Sequence, residues 1–148
     1  MTMYKWSQTA ATNATADATI NWAEGMAPSA VNDSARAVMA AAAKYRDDQS
    51  GSLTTGGSST AYTITSNQVF NSLANMSGQS VRIKMHVANG ASPTLNVDGL
   101  GAKAIVTVTG TAVGTAALLI NTIYELVYSN SSSEWILVGG ASPLGGFA

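Results

Sequence analysis

The chain of 148 residues predicts an α+β protein with an extended N-terminal arm, one long helix in a trimeric helical bundle, and a small antiparallel β-sandwich or barrel. Two observations carry this prediction. A polar segment without a period leads into an alanine-rich run with helical spacing, and after residue 60 the hydrophobic period changes to two. Short alternating runs separated by turn residues are typical of antiparallel sandwiches and barrels. The predicted segments are an attachment arm at 1–26, a trimerisation helix at 27–50, a linker at 51–60, a β-domain at 61–138 and a C-terminal tail at 139–148.

The helix is predicted from its ends and its composition. Pro28 suits a first helical turn because its missing N–H would have no partner there. Either Ala27 or Ser29 is the N-cap. The run 35–43 is rich in alanine, the best helix former, and Gly51 can supply a left-handed stop.

The apolar positions of this helix form a seam. Their spacing of 4, 3, 4 and 3 residues follows a heptad. Such a stripe either packs against the chain's own β-sheet, the common arrangement of an amphipathic helix, or meets copies of itself. The β-domain is small for a self-sufficient core, which favours copies. We therefore expect an interface between copies of the chain at Val31, Ala35, Val38, Ala42 and Tyr45.

Two tryptophans, Trp6 and Trp22, stand in the polar arm. Each can anchor in a pocket of a partner protein, or pack against the arm's own domain or a sister chain. These two tryptophans are the attachment residues that the arm itself predicts.

The β-domain is predicted from short runs of β-forming residues. In the run 81–87, apolar residues alternate with Arg82, Lys84 and His86, so the charged residues share one face. Residues 67–77 fit one or two helical turns that cap the core. The predicted strands are 61–65, 81–87, 94–97, 104–108, 118–120, 123–128 and 135–138.

The composition excludes several classes of function. Charged residues make up 10% of the chain, against about 25% in typical soluble domains. The net charge is −1 without a basic cluster, so we expect no nucleic-acid partner. The chain has no cysteine, which excludes disulfides and thiolate sites. It also lacks a signal peptide and an apolar run of about 18 residues, so we expect synthesis in the cytoplasm and no membrane insertion.

No residue pattern predicts catalysis, a cofactor or a metal. His86 is the only histidine, so a ligand or base role is disfavoured. Asp98–Gly99 indicates a hairpin turn rather than a calcium loop. Asp47 and Asp48 are adjacent and are expected at a solvated helix end, not in a paired-carboxylate site.

Aromatic residues near the C-terminus allow one binding interpretation. Trp135, Tyr124 and Tyr128 would form a sugar-stacking surface if exposed. Aromatics on closing strands are more often part of a core, and that is the expected arrangement here.

Three runs give the chain a family resemblance. The runs NWAEGMAPSAVNDSAR at 21–36 and AAAKYRDD at 41–48 resemble the N-terminal region of bacteriophage tail fibre and tail fibre-like proteins. The run HVANGASPTLNVDGLGAK at 86–103 is similar to a β-domain that often follows. The resemblance implies a virion protein, commonly a homotrimer, and a β-domain hairpin at 95–103. It also implies attachment and trimer-forming roles for Trp22, Pro28, Ser29, Val31, Asn32, Asp33, Ser34, Ala35 and Arg36.

The expected function is structural. The chain would be a short trimeric tail fibre or a fibre-anchoring protein of the virion, made in the bacterial host cytoplasm and attached by its arm to the tail, the baseplate or another virion protein. Relatives often continue into a shaft and a receptor-binding tip, whereas this sequence stops at Ala148, so a distal fibre protein is a further candidate partner. The alternatives are a host-receptor or glycan-binding module, and a capsid head fibre or decoration protein. An enzyme such as a depolymerase would need two opposed carboxylates, which no spacing indicates.

Overall fold

The computed structural model describes residues 3–20 and 22–139. Two 3-10 helices, Met3–Lys5 and Ala10–Ala14, precede the long helix α1 at Pro28–Asp48, and a short helix α2 lies at Leu73–Met76. The strands are β1 Leu53–Thr54, β2 Gly56–Gly57, β3 Ala61–Ile64, β4 Ser80–Lys84, β5 Thr94–Val97, β6 Lys103–Val106, β7 Ile123–Ser129 and β8 Glu134–Val138.

Helix α1 agrees with the predicted helix to within two residues at each end. Ala27 is the N-cap, in extended conformation, and Pro28 occupies the first turn. The backbone N–H of Gln49 donates to carbonyls of the last turn, and Gly51 follows with a φ of +79°. Local propensity and capping therefore suffice to define this element.

The eight strands form one sheet in the order β1-β4-β7-β8-β6-β5-β3-β2. Its two outermost strands, β1 and β2, are separated in the chain by Thr55 alone. The two ends of the sheet therefore lie beside each other, and the sheet is a nearly closed barrel. At this junction the backbone N–H of Thr55 donates to the carbonyl of Lys84 at 2.9 Å.

The predicted fold class is wrong. The sheet is mixed rather than antiparallel, because β1 pairs with β4, β3 with β5, and β6 with β8 in parallel. Among the described residues, α1 is the one long helix, so the chain is a barrel with a helix and not a helical bundle joined to a sandwich. Period-two alternation identifies a strand and its faces, but it carries no information about which strand lies alongside.

Two segments adopt structures that their composition did not indicate. The predicted linker at 51–60 contains β1 and β2, which are the edges of the barrel. The predicted strand at 118–120 lies in a loop, although Leu118 is fully buried. Pairing with β4 and β3 determines the conformation of the first segment. In the second, the backbone N–H of Leu118 donates to the side-chain oxygen of Asn89 at 2.7 Å, and the backbone N–H of Asn89 donates to the Leu118 carbonyl at 3.2 Å.

The core fills the interior of the barrel. Inward-facing residues of β4 are almost fully buried, as the alternation in 81–87 predicts, and the outward-facing Arg82 pairs with Glu125 on β7 at 3.2 Å. The largest buried side chains are Trp135, Tyr62, Tyr128, Met76, Ile83, Met85 and Leu95.

Two buried or half-buried carboxylates hold the loop 66–70 in place. Asp48, expected at a solvated helix end, is instead fully buried and accepts hydrogen bonds from the backbone and side-chain amides of Asn67 and Gln68 at 2.7–3.2 Å. Asp98 accepts from the backbone N–H and hydroxyl of Ser66 and from the backbone N–H of Phe70. The end of α1 is thereby joined to the barrel.

The turn at Asp98–Gly99 agrees with the prediction. Both residues have positive φ, +55° and +73°, and the backbone N–H of Leu100 donates to the carbonyl of Val97 at 3.1 Å. This is the geometry of a type I′ turn, which glycine and aspartate favour. Because the Asp98 carboxylate is engaged by the loop 66–70, it has a structural role.

The predicted arm is not extended over its described residues. Asn13 holds a loop by accepting from the backbone N–H of Ser7 and donating to its carbonyl, both at 2.8 Å. Further along, the backbone N–H of Trp22 donates to the carbonyl of Ala14 at 3.2 Å. Asn, Ser and Thr side chains compete for backbone partners in this way and favour turns over extended chain. Of the predicted tail at 139–148, residues 140–148 lie outside the described residues.

Candidate functional site

Helix α1 packs on its own chain through a face that the heptad seam does not predict. Its buried residues are Ser34, Ala37, Ala41 and Asp48. At 3.6 residues per turn, this face lies about 90° around the helix from the seam. The seam therefore does not lie beneath the chain's own strands.

The predicted trimer residues form an apolar stripe on the surface of α1. Val31 is 45% exposed and Tyr45 is 40% exposed. Ala35 and Ala42 are also exposed, and Val38 is half-buried. These five residues are called the exposed stripe below. The stripe thus lies on a different face from the one through which α1 packs on its own chain.

The exposed stripe is bordered by further apolar and charged residues. Met39 is 72% exposed and widens the apolar area on one side. Beyond it, Arg36 and Asp33 form an exposed ion pair at 3.2 Å, which contributes little to stability.

A second candidate site lies in the folded arm. Trp6 and Trp22, which are far apart in the sequence of the arm, line one cavity of about 110 Å³. Trp22 is 42% exposed and Trp6 is half-buried. The other described residues that line the cavity are Asn13, Asp17 and Ile20. The tryptophans predicted as attachment residues are thus brought together, and this group is called the arm cavity below.

Asp17, one of the residues that line the arm cavity, is held in a turn. Asp17 is 4% exposed, and its Oδ1 accepts from the backbone N–H of Thr19 at 3.0 Å and from the Thr19 hydroxyl at 2.7 Å. The backbone N–H of Ile20 donates to the Asp17 carbonyl at 2.9 Å. This turn fixes the conformation of the Asp17 side chain in the arm. The spacing Asp-x-Thr is the sequence signal that could have predicted it.

The other two predicted attachment residues, Pro28 and Ser29, lie at the first turn of α1 and are exposed. They are accessible, as an attachment role requires.

His86 lies beside Thr55, the residue between β1 and β2, and its contacts are with the barrel. Its Nδ1 lies 2.7 Å from the hydroxyl of Thr55, and its backbone N–H donates to the same hydroxyl at 3.0 Å. The imidazole contacts Tyr62 edge-on, with the ring centroids 5.8 Å apart. The Tyr62 hydroxyl donates to the carbonyl of Val87 at 2.9 Å, and burial raises the pKa of Tyr62 to about 12.

The aromatic residues considered for sugar stacking belong to the core. Trp135 and Tyr128 are each 1% exposed and Tyr124 is 8% exposed. The rings of Tyr128 and Trp135 lie 5.1 Å apart inside the barrel. None of the three can stack on a ligand at the surface.

Within the described part of the chain, no three histidine, cysteine or acidic residues cluster in a way that could hold a metal ion. Over the same residues, no helix has the length and apolar character needed to cross a membrane. No known protein-family model matches the chain, and no curated protein has a significantly similar sequence.

Proposed function

We propose that this protein is a structural component of a bacteriophage virion, a short homotrimeric tail fibre or fibre-anchoring protein that attaches to the tail or baseplate through its N-terminal region. The proposal is supported by the resemblance of residues 21–36, 41–48 and 86–103 to tail fibre proteins and by two accessible surfaces on the N-terminal part of the chain. One surface would join copies, and the other would hold a partner.

The observation that carries the proposal is the exposure of the stripe on α1. Val31 and Tyr45 are about half in water in the single chain, although their spacing is that of a helix interface. Each Å² of apolar surface removed from water contributes about 25 cal/mol, so the stripe gains stability when copies cover it. Alanine at positions 35 and 42 lets neighbouring backbones approach closely. In a closed ring of three copies, a neighbouring copy would cover the stripe of each chain.

Attachment through the arm follows from the same geometry. A trimer would bring three arms to the tail or baseplate. A weak contact repeated three times gives a strong overall attachment. Trp22, which is partly exposed, has the size and accessibility of an anchoring residue.

The trimer is tested by a matched pair of substitutions. Ala42 and Ala40 are both exposed positions of α1, but only Ala42 belongs to the stripe, and Ala40 faces the opposite side. Ala42→Asp should convert a trimer into monomers, because a charge buried in the interface costs several kcal/mol. Ala40→Asp makes the same chemical change and should leave the trimer intact. Val38→Asp, at the centre of the stripe, should behave like Ala42→Asp.

Light scattering on the purified chain measures these outcomes. A wild-type mass of one chain at micromolar concentration would contradict the proposal. So would a trimer that persists in both Ala42→Asp and Val38→Asp.

The attachment role is tested in assembled particles. Trp22→Ala should leave the trimer intact but reduce incorporation of the protein into virions, measured by its abundance in purified particles. Imaging of labelled particles distinguishes a tail location from a head fibre or decoration protein. The glycan-binding alternative loses its sequence support, because Trp135 and Tyr128 lie inside the barrel.

A further inference from the structure

Val69 holds a backbone conformation that its side chain disfavours. Its φ is +51°, in the left-handed region, where the Cβ of an L-residue lies too close to the following carbonyl oxygen. A β-branched residue there is an outlier, and such strain persists only where the surrounding structure enforces it. The Val69 side chain is 57% exposed, so its own packing does little to offset the strain. Other contacts of the loop 66–70 therefore have to hold it.

The two carboxylates that hold this loop lie on either side of Val69 in the chain of contacts. The backbone N–H of Gln68 donates to the Asp48 carboxylate at 3.2 Å. The backbone N–H of Phe70 donates to the Asp98 carboxylate at 2.8 Å. Asp48 ends α1, and Asp98 follows β5. The strained residue is thus fixed from both sides by groups that belong to different elements of the fold.

The side chain of Gln68 adds a second unfavourable feature to the closed loop. Gln68 is 2% exposed, and its side-chain amide N–H donates to Asp48 at 3.1 Å. Its side-chain oxygen is buried and has no hydrogen-bond partner within residues 3–20 and 22–139. A buried acceptor without a protein partner raises the free energy of the closed loop relative to a state in which water reaches it. This feature and the strain at Val69 both favour opening.

Tyr4 covers the loop from the arm. Its ring stacks on Phe70, with the ring centroids 4.9 Å apart and the planes inclined by 25°. Its hydroxyl donates to the carbonyl of Val69 at 3.3 Å. Tyr4 belongs to the 3-10 helix Met3–Lys5, which lies against α1 and α2. The arm therefore contacts the strained residue itself.

We propose that the loop 66–70 is a strained latch that Tyr4 holds closed. When the 3-10 helix of Tyr4 moves away, the latch opens, Val69 leaves the left-handed region, and the loop releases Asp48 at the end of α1. The position of the N-terminal 3-10 helix is thereby coupled to the joint between α1 and the barrel.

The latch would respond to a partner bound at the arm. Trp6, one of the predicted attachment residues, follows Tyr4 by two positions, and its backbone N–H donates to the carbonyl of Met3 at 3.0 Å. A partner that displaces this turn on binding Trp6 would therefore open the latch. This consequence rests on the proposed attachment function, whereas the latch is a property of the single chain and is tested without a partner.

Amide hydrogen exchange of the purified full-length chain, followed by NMR, measures the opening of the latch. The reporters are the backbone amides of Asn67, Gln68 and Phe70, which donate to the two carboxylates. The amides of β7 report on the barrel. Tyr4→Ala removes the ring stacking and the hydroxyl bond, so it should speed exchange at the three reporters at least about tenfold. Exchange in β7 should stay unchanged.

Substitution of Val69 separates stored strain from the simple loss of a contact. Val69→Gly accepts the left-handed conformation without a steric cost, so in the Tyr4→Ala chain it should slow exchange at the three reporters at least about threefold. Val69→Asn also tolerates this conformation and should act in the same direction. Val108→Gly is the matched control at a valine that is 74% exposed and has no positive φ, and it should not slow exchange.

Unchanged exchange at the reporters in Tyr4→Ala, or an equal rise throughout β7, would overturn the inference. So would a Val69→Gly substitution that fails to slow exchange in the Tyr4→Ala chain. If Tyr4→Ala does not fold, Val69→Gly and Val108→Gly in the wild-type chain decide the question, because only the first should slow exchange at the reporters. Equal behaviour of these two variants would refute the latch. A working latch in a chain that does not enter virions would refute only the proposed function.

Discussion

The barrel and the helix α1 use their apolar residues in opposite ways. The barrel encloses its large side chains, and Trp135 and Tyr62 are each 1% exposed. In α1 only four of 21 residues are buried, two of them alanines, while Val31, Met39 and Tyr45 remain at least 40% exposed. The barrel is thus stabilised by its own interior, whereas the large apolar side chains of α1 lie mostly at the surface of the single chain.

The two regions are joined mainly at the C-terminal end of α1. Asp48 receives hydrogen bonds from the loop 66–70, and the hydroxyl of Ser80 donates to the Gln49 side chain at 2.8 Å. Arg82 donates to the Gln49 carbonyl at 3.4 Å. A helix held firmly at one end can present the rest of its surface without weakening the barrel.

The largest expected effect comes from comparing two tryptophans. Trp135→Ala should lower the free energy of unfolding by about 3–5 kcal/mol, because it leaves a large cavity in the barrel. Trp22→Ala, at a partly exposed position, should cost less than about 1 kcal/mol. Urea denaturation of both variants measures the difference. Similar losses would mean that the arm contributes to the stability of the barrel, and the comparison would fail.

A smaller effect is expected at the joint between the two regions. Asp48→Ala should cost about 2–4 kcal/mol, since it leaves buried N–H donors of Asn67 and Gln68 without their acceptor. Its neighbour Asp47 is 43% exposed and pairs with Arg46 at 2.8 Å, so Asp47→Ala should cost less than about 1 kcal/mol. Thermal or urea unfolding of this adjacent pair tests whether the joint depends on the buried carboxylate. Equal losses would refute the role assigned to Asp48.

The smallest effect is a change in the free energy of unfolding with pH, caused by a residue of the barrel. Burial raises the pKa of Tyr62 from 10.0 to about 12, so the folded state favours the neutral phenol. The corresponding stability is fully present below pH 10 and is lost as the pH rises towards 12, at no more than about 1.4 kcal/mol per pH unit. Tyr62→Phe should remove this part of the slope. If wild type and Tyr62→Phe lose stability in parallel between pH 10 and 12, the phenol is not responsible.

The site was only partly predictable from local patterns. The seam at positions 31, 35, 38, 42 and 45 was identified from spacing alone. Four of its residues are exposed and Val38 is half-buried, and its role as an interface stays a prediction. The arm cavity could not be identified, because Trp6 and Trp22 are separated by residues without a period. Their meeting depends on hydrogen bonds of Asn13 and Asp17, and such side-chain contacts leave no periodic signal.

The sequence by itself determined the elements that depend on neighbouring residues. These are the bounds of α1, the inward and outward faces of β4, and the turn at Asp98–Gly99, because capping, alternation and positive φ act over a few residues. Only the tertiary structure decided the parallel pairings, the closure of the barrel by β1 and β2, the burial of Asp48 and the face of α1 that packs. Those features depend on contacts between residues far apart in the chain, and the free energy of such contacts overrides local preference.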